Sequence, residues 1–196
     1  MRGSAVRVGF HLEPGMRVGL YGGSFNPAHE GHAHVANWAR KRLGLQKVIW
    51  LVSPQNPLKR GVEPTAPLAE RMAGARRFAR GPSMIVSDAE TRLGTSYTVD
   101  TIRALKRRFP GVRFFWIMGS DNLAIFHRWR AWRTIARLAP IVIVDRPGSL
   151  VRARFSPAGR RLSTIDVHAP LNFASSTALR THATVKSPRA AKELER

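Results

Sequence analysis

The chain has 196 residues, no cysteine, and a formal net charge of +21, from 33 Lys and Arg against 12 Asp and Glu. Its length is that of one domain, and its 43% hydrophobic and 23% charged residues are typical of a globular protein rather than a disordered one. The lack of cysteine excludes a disulfide scaffold, a thiolate metal site and cysteine catalysis.

The excess of basic residues has three interpretations. A strongly positive field favours a nucleic-acid or membrane partner, a chain-wide bias toward arginine gives the same charge on a solvated surface, and an enzyme with several anionic substrates accounts for part of it. The longest basic clusters, at 106–108 and 160–161, are short, which favours compositional bias and no specific nucleic-acid partner.

The apolar runs are short as well. Phe114–Met118 and Pro140–Val144 are the longest, far below the ~20 residues of a membrane span, and the first residues lack the apolar stretch of a signal peptide. We expect no membrane partner, a cytoplasmic location, and a monomer or homo-oligomer.

Short apolar runs alternate with helical segments along the chain. The predicted strands are Arg17–Tyr21, Lys47–Val52, Met84–Ser87, Arg113–Met118, Pro140–Asp145 and Leu162–Val167. The predicted helices are Glu30–Leu43, ended by Gly44, then Leu68–Arg80, Thr98–Phe109, one broken or two short helices in Asn122–Leu138, and Thr177–Thr184. This alternation predicts a single α/β domain with a doubly wound parallel sheet. We place it at residues 16–185, between an extension at 1–15 and a polar tail at 186–196.

The first predicted strand runs directly into the sequence GGSFNPAHEGH at residues 22–32. A strand, a glycine-rich turn and a helix start in that order are typical of phosphate binding, because the backbone and the free N–H groups of the helix can approach an anion. The sequence is neither a P-loop nor GxGxxG.

His29 and His32 lie three residues apart on one helix face, and Gly31 between them leaves room for a ligand. We expect both imidazoles to donate hydrogen bonds to phosphate oxygens. Two alternatives are a zinc pair, which usually has i,i+4 spacing and needs a third ligand that is not evident, and two surface histidines at a helix start.

Two later segments also suit a nucleotide. Hydroxyls followed one turn later by an arginine, at residues 175–180, form a phosphate cradle at a helix start, although an ordinary N-cap has the same hydroxyls. Asp121 follows the fourth predicted strand, where a carboxylate accepts hydrogen bonds from ribose hydroxyls or caps a helix.

The segment at 22–32 resembles the signature of the (H/T)xGH nucleotidyltransferases, and residues 174–180 resemble their second motif, ISSTxxR, with Ala174 in place of its isoleucine. The resemblance implies a Rossmann-like doubly wound sheet and transfer of a nucleotidyl group from a nucleoside triphosphate, with release of pyrophosphate. It implies Mg²⁺ carried on the ATP phosphates rather than in a protein metal site. The implied catalytic residues are His29, His32 and Arg180. The implied ATP-binding residues are Gly22, Gly23, Ser24, Phe25, Gly31, Gly119, Ser120, Asp121, Arg146, Ser175, Ser176 and Thr177.

Three further segments resemble the bacterial nicotinate-nucleotide adenylyltransferases: TSYTVDT at 95–101, NPLK at 56–59 and FHRWRAW at 126–132. Leu58 stands where that family often has histidine. The resemblance implies adenylyl transfer from ATP to nicotinate mononucleotide, giving deamido-NAD in NAD biosynthesis. The implied acceptor-binding residues are Asn26, Lys59, Thr95, Tyr97, Thr98 and Trp129.

Other interpretations remain open at this point. Trp129 and Trp132 are also spaced as a core or interface pair. A sibling transferase would use nicotinamide mononucleotide or phosphopantetheine, and a protein of a different class would be a basic nucleic-acid-binding protein without chemistry.

Overall fold

The computed structural model describes residues 7–54, 66–145 and 150–170. The strands are β1 (Arg17–Gly23), β2 (Lys47–Val52), β3 (Met84–Ser87), β4 (Arg113–Gly119), β5 (Ile141–Val144) and β6 (Ile165–Val167). The helices are α1 (Glu30–Leu43), α2 (Leu68–Phe78), α3 (Ala89–Arg92), α4 (Thr98–Arg108), α5 (Ser120–Phe126), α6 (Trp132–Leu138) and α7 (Leu150–Phe155). None of these helices is long and apolar enough to cross a bilayer.

The six strands form one parallel sheet in the order β3-β2-β1-β4-β5-β6. Strands β1, β2 and β3 therefore extend from the centre of the sheet to one edge, and β4, β5 and β6 extend from the centre to the other edge. This confirms the predicted doubly wound α/β fold. In such sheets the strand order reverses at a crevice beyond the carboxyl ends of the two central strands, which is where ligands bind.

All six predicted strands are present, and α1 has the predicted bounds. Gly44 ends α1 with a φ of 59°, a left-handed conformation that glycine adopts without strain. The segment at 122–138 forms two helices, α5 and α6, and the break includes Ala131 with a φ of 52°. Helices α3 and α7 were not predicted, and the helix predicted at 177–184 lies outside the described residues.

The core lies on both faces of the sheet because side chains alternate along each buried strand. In β2, Ile49 and Leu51 pack on the face that carries α4, α5 and α6, whereas Val48, Trp50 and Val52 pack on the face that carries α1 and α2. The continuous apolar runs of the sequence are thus strands that are buried on both sides.

The described part of the N-terminal segment, residues 7–15, packs on the domain. Val8 and Leu12 are 2% and 3% exposed and belong to the core on the α4 face. The Ser87 hydroxyl donates a hydrogen bond of 3.0 Å to the Val8 carbonyl, and the Phe10 ring stacks on Phe109. Although the sequence suggests an extension here, these residues contribute directly to the apolar core.

We therefore expect Leu12→Ala to destabilise the protein by about 2–5 kcal/mol, because it removes a buried side chain and leaves a cavity. The matched control is His11→Ala at the exposed neighbouring position, which should stay within about 0.5 kcal/mol of wild type. Urea unfolding measures both, and a Leu12→Ala protein as stable as wild type would contradict the packing of this segment.

Candidate active site

The turn between β1 and α1 is fixed by aromatic packing. Phe25 is buried, with its ring stacked on Trp50 at 5.1 Å between centroids and edge-on to Tyr21 at 5.5 Å. Its φ is +47°, and the Asn26–Pro27 peptide bond that follows is cis. Because its side chain is in the core, the predicted role of Phe25 in ATP binding would fall to its backbone alone.

Packing within the protein also explains the two glycines at the end of β1. A Cβ on Gly22 would lie 2.5 Å from the indole of Trp116 in β4, and a Cβ on Gly23 would lie 3.2 Å from the Phe25 ring. Gly22 is therefore needed for a close approach between β1 and a buried tryptophan. The role of both glycines in ATP binding stays a prediction.

The two histidines of the predicted phosphate site meet at the start of α1. His29 is the N-cap residue, and the ring centroids of His29 and His32 are 3.8 Å apart. His32 Nδ1 accepts a hydrogen bond of 3.2 Å from the backbone N–H of His29, as part of a capping box. His29 is only 3% exposed, which excludes the interpretation of two surface histidines.

This hydrogen bond sets the tautomer of His32. A neutral imidazole has one donor and one acceptor nitrogen, so a ring that accepts at Nδ1 carries its proton on Nε2. His32 is then a hydrogen-bond donor without being charged. It lies at a helix N-terminus, where the helix dipole favours an anion.

The carboxyl end of β4 adjoins this turn. Tyr21 pairs with Ile117, and two residues beyond that pair β1 and β4 end at Gly23 and Gly119. Gly119 is the N-cap residue of α5, Ser120 is buried and Asp121 is exposed in the first turn. The structure thus brings the predicted residues at 22–32 and at 119–121 to one crevice.

The predicted acceptor residues at 95–98 join a buried polar network. The Thr95 and Thr101 hydroxyls are 2.8 Å apart, and the Thr95 N–H donates to the Glu90 carbonyl at 2.9 Å. Tyr97 and Thr98 are the N-cap and first residues of α4. The Thr95 hydroxyl therefore has a structural partner in addition to its predicted role.

Tyr97 connects this segment with the aromatic segment at 126–132. Its ring is 38% exposed, and the Arg130 guanidinium carbon lies 4.6 Å from the ring centroid. Arg130 NH1 is also 3.8 Å from the Asp100 carboxylate. The two segments that resemble acceptor-binding motifs are therefore neighbours in the fold.

Trp129 is half-buried and packs edge-on against two buried rings, Phe126 at 5.3 Å and Trp116 at 6.0 Å. Trp132 also lies edge-on to Phe126, at 6.3 Å. Packing in the core therefore explains part of the burial of both indoles. The stacking of Trp129 on an acceptor ring stays a prediction.

Several predicted site residues lie outside the described residues, so their roles also stay predictions. They are Lys59, Arg146, Ser175, Ser176, Thr177 and Arg180.

Sequence reasoning missed two charged residues near the crevice, Arg71 and Glu90, which are 4% and 5% exposed. Burial lowers the pKa of the Arg71 guanidinium. Burial raises the pKa of the Glu90 carboxyl, and hydrogen bonds with Ser53 and Thr101 oppose that shift. No sequence pattern distinguishes Arg71 from other helical arginines, and Glu90 belongs to the unpredicted helix α3.

Comparisons with known proteins agree with this arrangement. The cytidylyltransferase-like family profile matches residues 20–182. A protein of Caulobacter sp. (strain K31) named "Probable nicotinate-nucleotide adenylyltransferase" is 60% identical over 184 aligned positions, covering 84% of this chain and 97% of that protein. The chain belongs to the nicotinate-nucleotide adenylyltransferase family. A family member from Cereibacter sphaeroides is 54% identical and covers 76% of this chain and 78% of its own.

The fold is also that of this family. The structure of "Plasmodium falciparum nicotinic acid mononucleotide adenylyltransferase complexed with NaAD" superposes with a TM-score of 0.67 at 16% identity, covering 85% of this chain and 83% of that chain. The predicted family and its Rossmann-like sheet are thus confirmed.

The described residues supply few ligands for a metal ion. Among them, no three His, Asp or Glu side chains cluster as a metal site requires. Mg²⁺ often keeps only one or two protein carboxylates when it binds nucleotide phosphates.

The burial of Glu90 predicts a pH-dependent stability. Because its folded-state pKa is raised above 4.5, the folded protein binds this proton more tightly than the unfolded chain and loses stability as pH rises from there. Glu90→Gln removes this titration and keeps a hydrogen-bond acceptor. We expect the variant to gain in melting temperature relative to wild type as pH is raised from about 4 to about 8.

The control is Glu70→Gln, which changes an exposed glutamate on α2. Its melting temperature should follow the wild-type curve at every pH. A constant difference between Glu90→Gln and wild type across the range would contradict a raised pKa for Glu90.

Proposed function

We propose that the protein transfers the adenylyl group of ATP to the 5′-phosphate of nicotinate mononucleotide, giving deamido-NAD and pyrophosphate in NAD biosynthesis. The observation that carries the proposal is the 60% identity to a relative of that name over 97% of its length. The paired histidines at the crevice between β1 and β4 support it. The cytoplasmic location and the oligomeric state stay predictions.

The reaction needs little acid–base chemistry from the protein. The acceptor phosphate is ionised at neutral pH, so its oxygen attacks the α-phosphorus of ATP without a general base. One P–O bond forms at that phosphorus while the bond to the pyrophosphate oxygen breaks. The residues of the chain then contribute by positioning the two substrates and by stabilising charge on the transferred group.

His32 is suited to the second of these tasks. Because its Nδ1 accepts a hydrogen bond from the His29 backbone N–H, its Nε2 carries the proton and is the donor atom of the ring. We assign His29 and His32 to the oxygens of the α-phosphate. Mg²⁺ on the ATP phosphates would supply further charge neutralisation.

The remaining roles rest on the sequence. Ser175, Thr177 and Arg180 would hold the leaving pyrophosphate, and Lys59 would bind the acceptor phosphate. Asp121 would accept hydrogen bonds from ribose, and Arg146 would lie beside the adenine.

The choice of nicotinate mononucleotide over its amide analogue rests on the 60% identical relative and on the resemblance of residues 95–101 and 126–132 to the family's acceptor motifs. Arg130 is not assigned to the acceptor carboxylate, because its guanidinium lies over the Tyr97 ring and 3.8 Å from the Asp100 carboxylate.

A panel of acceptors tests the proposal. Purified protein with ATP and Mg²⁺ receives nicotinate mononucleotide, nicotinamide mononucleotide or phosphopantetheine, and pyrophosphate and the adenylylated product are quantified. We expect the highest kcat/KM for nicotinate mononucleotide. Equal use of the two pyridine nucleotides would reject the nicotinate assignment, and no pyrophosphate with any acceptor would reject adenylyl transfer.

His32→Ala should lower kcat by about 10²–10³-fold, as the loss of one preorganised donor to a transition-state oxyanion typically does. His34→Ala is the control, because His34 is on the same helix and its ring contacts Trp38. Steady-state kinetics and a melting curve for each variant separate catalysis from folding. Normal turnover by a folded His32→Ala protein would contradict the catalytic role and leave His32 with a helix-capping role alone.

Trp129→Leu should raise the KM for nicotinate mononucleotide about three- to tenfold more than the KM for ATP, since aromatic stacking is worth about 0.5–1.5 kcal/mol beyond burial. Trp132→Leu is the matched control, because it also removes a half-buried indole packed on Phe126. If both variants lose stability and neither changes the acceptor KM, Trp129 serves the core alone.

A further inference from the structure

Within the described ranges, the guanidinium of Arg71, in α2, donates hydrogen bonds to four backbone carbonyl oxygens. Its Nε donates to Ala66 at 2.8 Å, one terminal nitrogen donates to Ser24 at 2.8 Å and Ser53 at 2.7 Å, and the other donates to Pro54 at 3.0 Å. Among the ion pairs of the described residues, none includes Arg71. The contacts that the structure describes for this cation are therefore with backbone oxygens.

The four carbonyls belong to three separate segments of the site. Ser24 is in the turn that carries the paired histidines, Ser53 and Pro54 follow the end of β2, and Ala66 precedes α2. A planar guanidinium presents its donors in a fixed fork. One rigid group thus sets the distances among these segments, which a flexible ammonium cannot do.

Ser53 connects the Arg71 guanidinium with the end of β1 and with Glu90. Its backbone N–H donates to the Gly23 carbonyl at 3.0 Å, its carbonyl accepts from Arg71, and its side chain hydrogen bonds with the Glu90 carboxyl. Glu90 in turn accepts, through its carbonyl, from the N–H of Thr95. A chain of contacts therefore runs from the turn between β1 and α1 at residues 24–29, called the phosphate turn after its predicted role, to the predicted acceptor segment at residues 95–98.

We propose that Arg71 is a positioning residue that fixes the phosphate turn at Ser24 relative to the segment leaving β2 at Ser53 and Pro54, and so aligns ATP with the acceptor. This inference rests on the proposed adenylyl transfer. Arg71 acts through the backbone of these segments and is not itself a catalytic residue.

Arg71→Lys tests the proposal because it keeps the charge and removes the fork. A displacement of about 1 Å between reacting groups costs about 10²-fold in rate, so we expect kcat to fall by about that factor. The Kd for ATP, measured by calorimetry without acceptor, should change less than about threefold. Arg76→Lys makes the same replacement at an exposed position of the same helix and should behave as wild type.

Hydrogen exchange gives a readout that does not depend on the reaction. The Ser53 amide, which donates to Gly23, should exchange faster in Arg71→Lys than in Arg76→Lys. If wild type is inactive with nicotinate mononucleotide, the proposed function fails, while this comparison still tests the positioning of the segments.

Three results would overturn the proposal. Wild-type kcat and Ser53 exchange in Arg71→Lys would show that the fork is not needed. A loss of ATP affinity equal to the loss in kcat would show a binding role. If Arg71→Lys and the uncharged Arg71→Gln both fail to fold, Arg71 is a structural residue and positioning is rejected.

Discussion

The close contact between Trp116 and Gly22 is the constraint on which the site depends. A side chain at position 22 would overlap the indole, so β1 can lie at hydrogen-bonding distance from β4 only with glycine there. The carboxyl ends of the two central strands are thereby held side by side, and the crevice opens where they end. The same indole packs edge-on against Trp129. One buried side chain thus positions both the strand before the phosphate turn and a residue of the predicted acceptor segment.

A second tryptophan has the corresponding role on the opposite face of the sheet. Trp50 stacks on Phe25 on the face of the sheet that carries α1 and α2, and so holds the turn between β1 and α1 in place. Phe25 also contacts the His32 ring, at 5.0 Å between centroids. The histidine that is predicted to donate to a phosphate is therefore supported by the apolar core, which limits the orientations of its ring before any substrate binds.

The sequence predicts the sheet well because the information is local. Apolar runs mark strands buried on both faces, and the glycine–histidine segment marks the phosphate turn. The short helix α3 has only four residues, too few to show a period. The sequence does not predict the burial of Arg71 for another reason. Its burial depends on where α2 packs, and an arginine among other arginines in a helix is expected at the surface. Trp129 is ambiguous because the same spacing suits a core pair and a stacking residue.

The placement of the basic residues matters more to this site than their number. Exposed arginines such as Arg92 and Arg103 pair with Asp88 and Asp100 on their own helices, and such surface pairs contribute little to stability. Arg71 differs because its charge is buried among neutral carbonyls, where desolvation makes an unmatched donor costly. Its position is therefore determined by geometry and not by net charge.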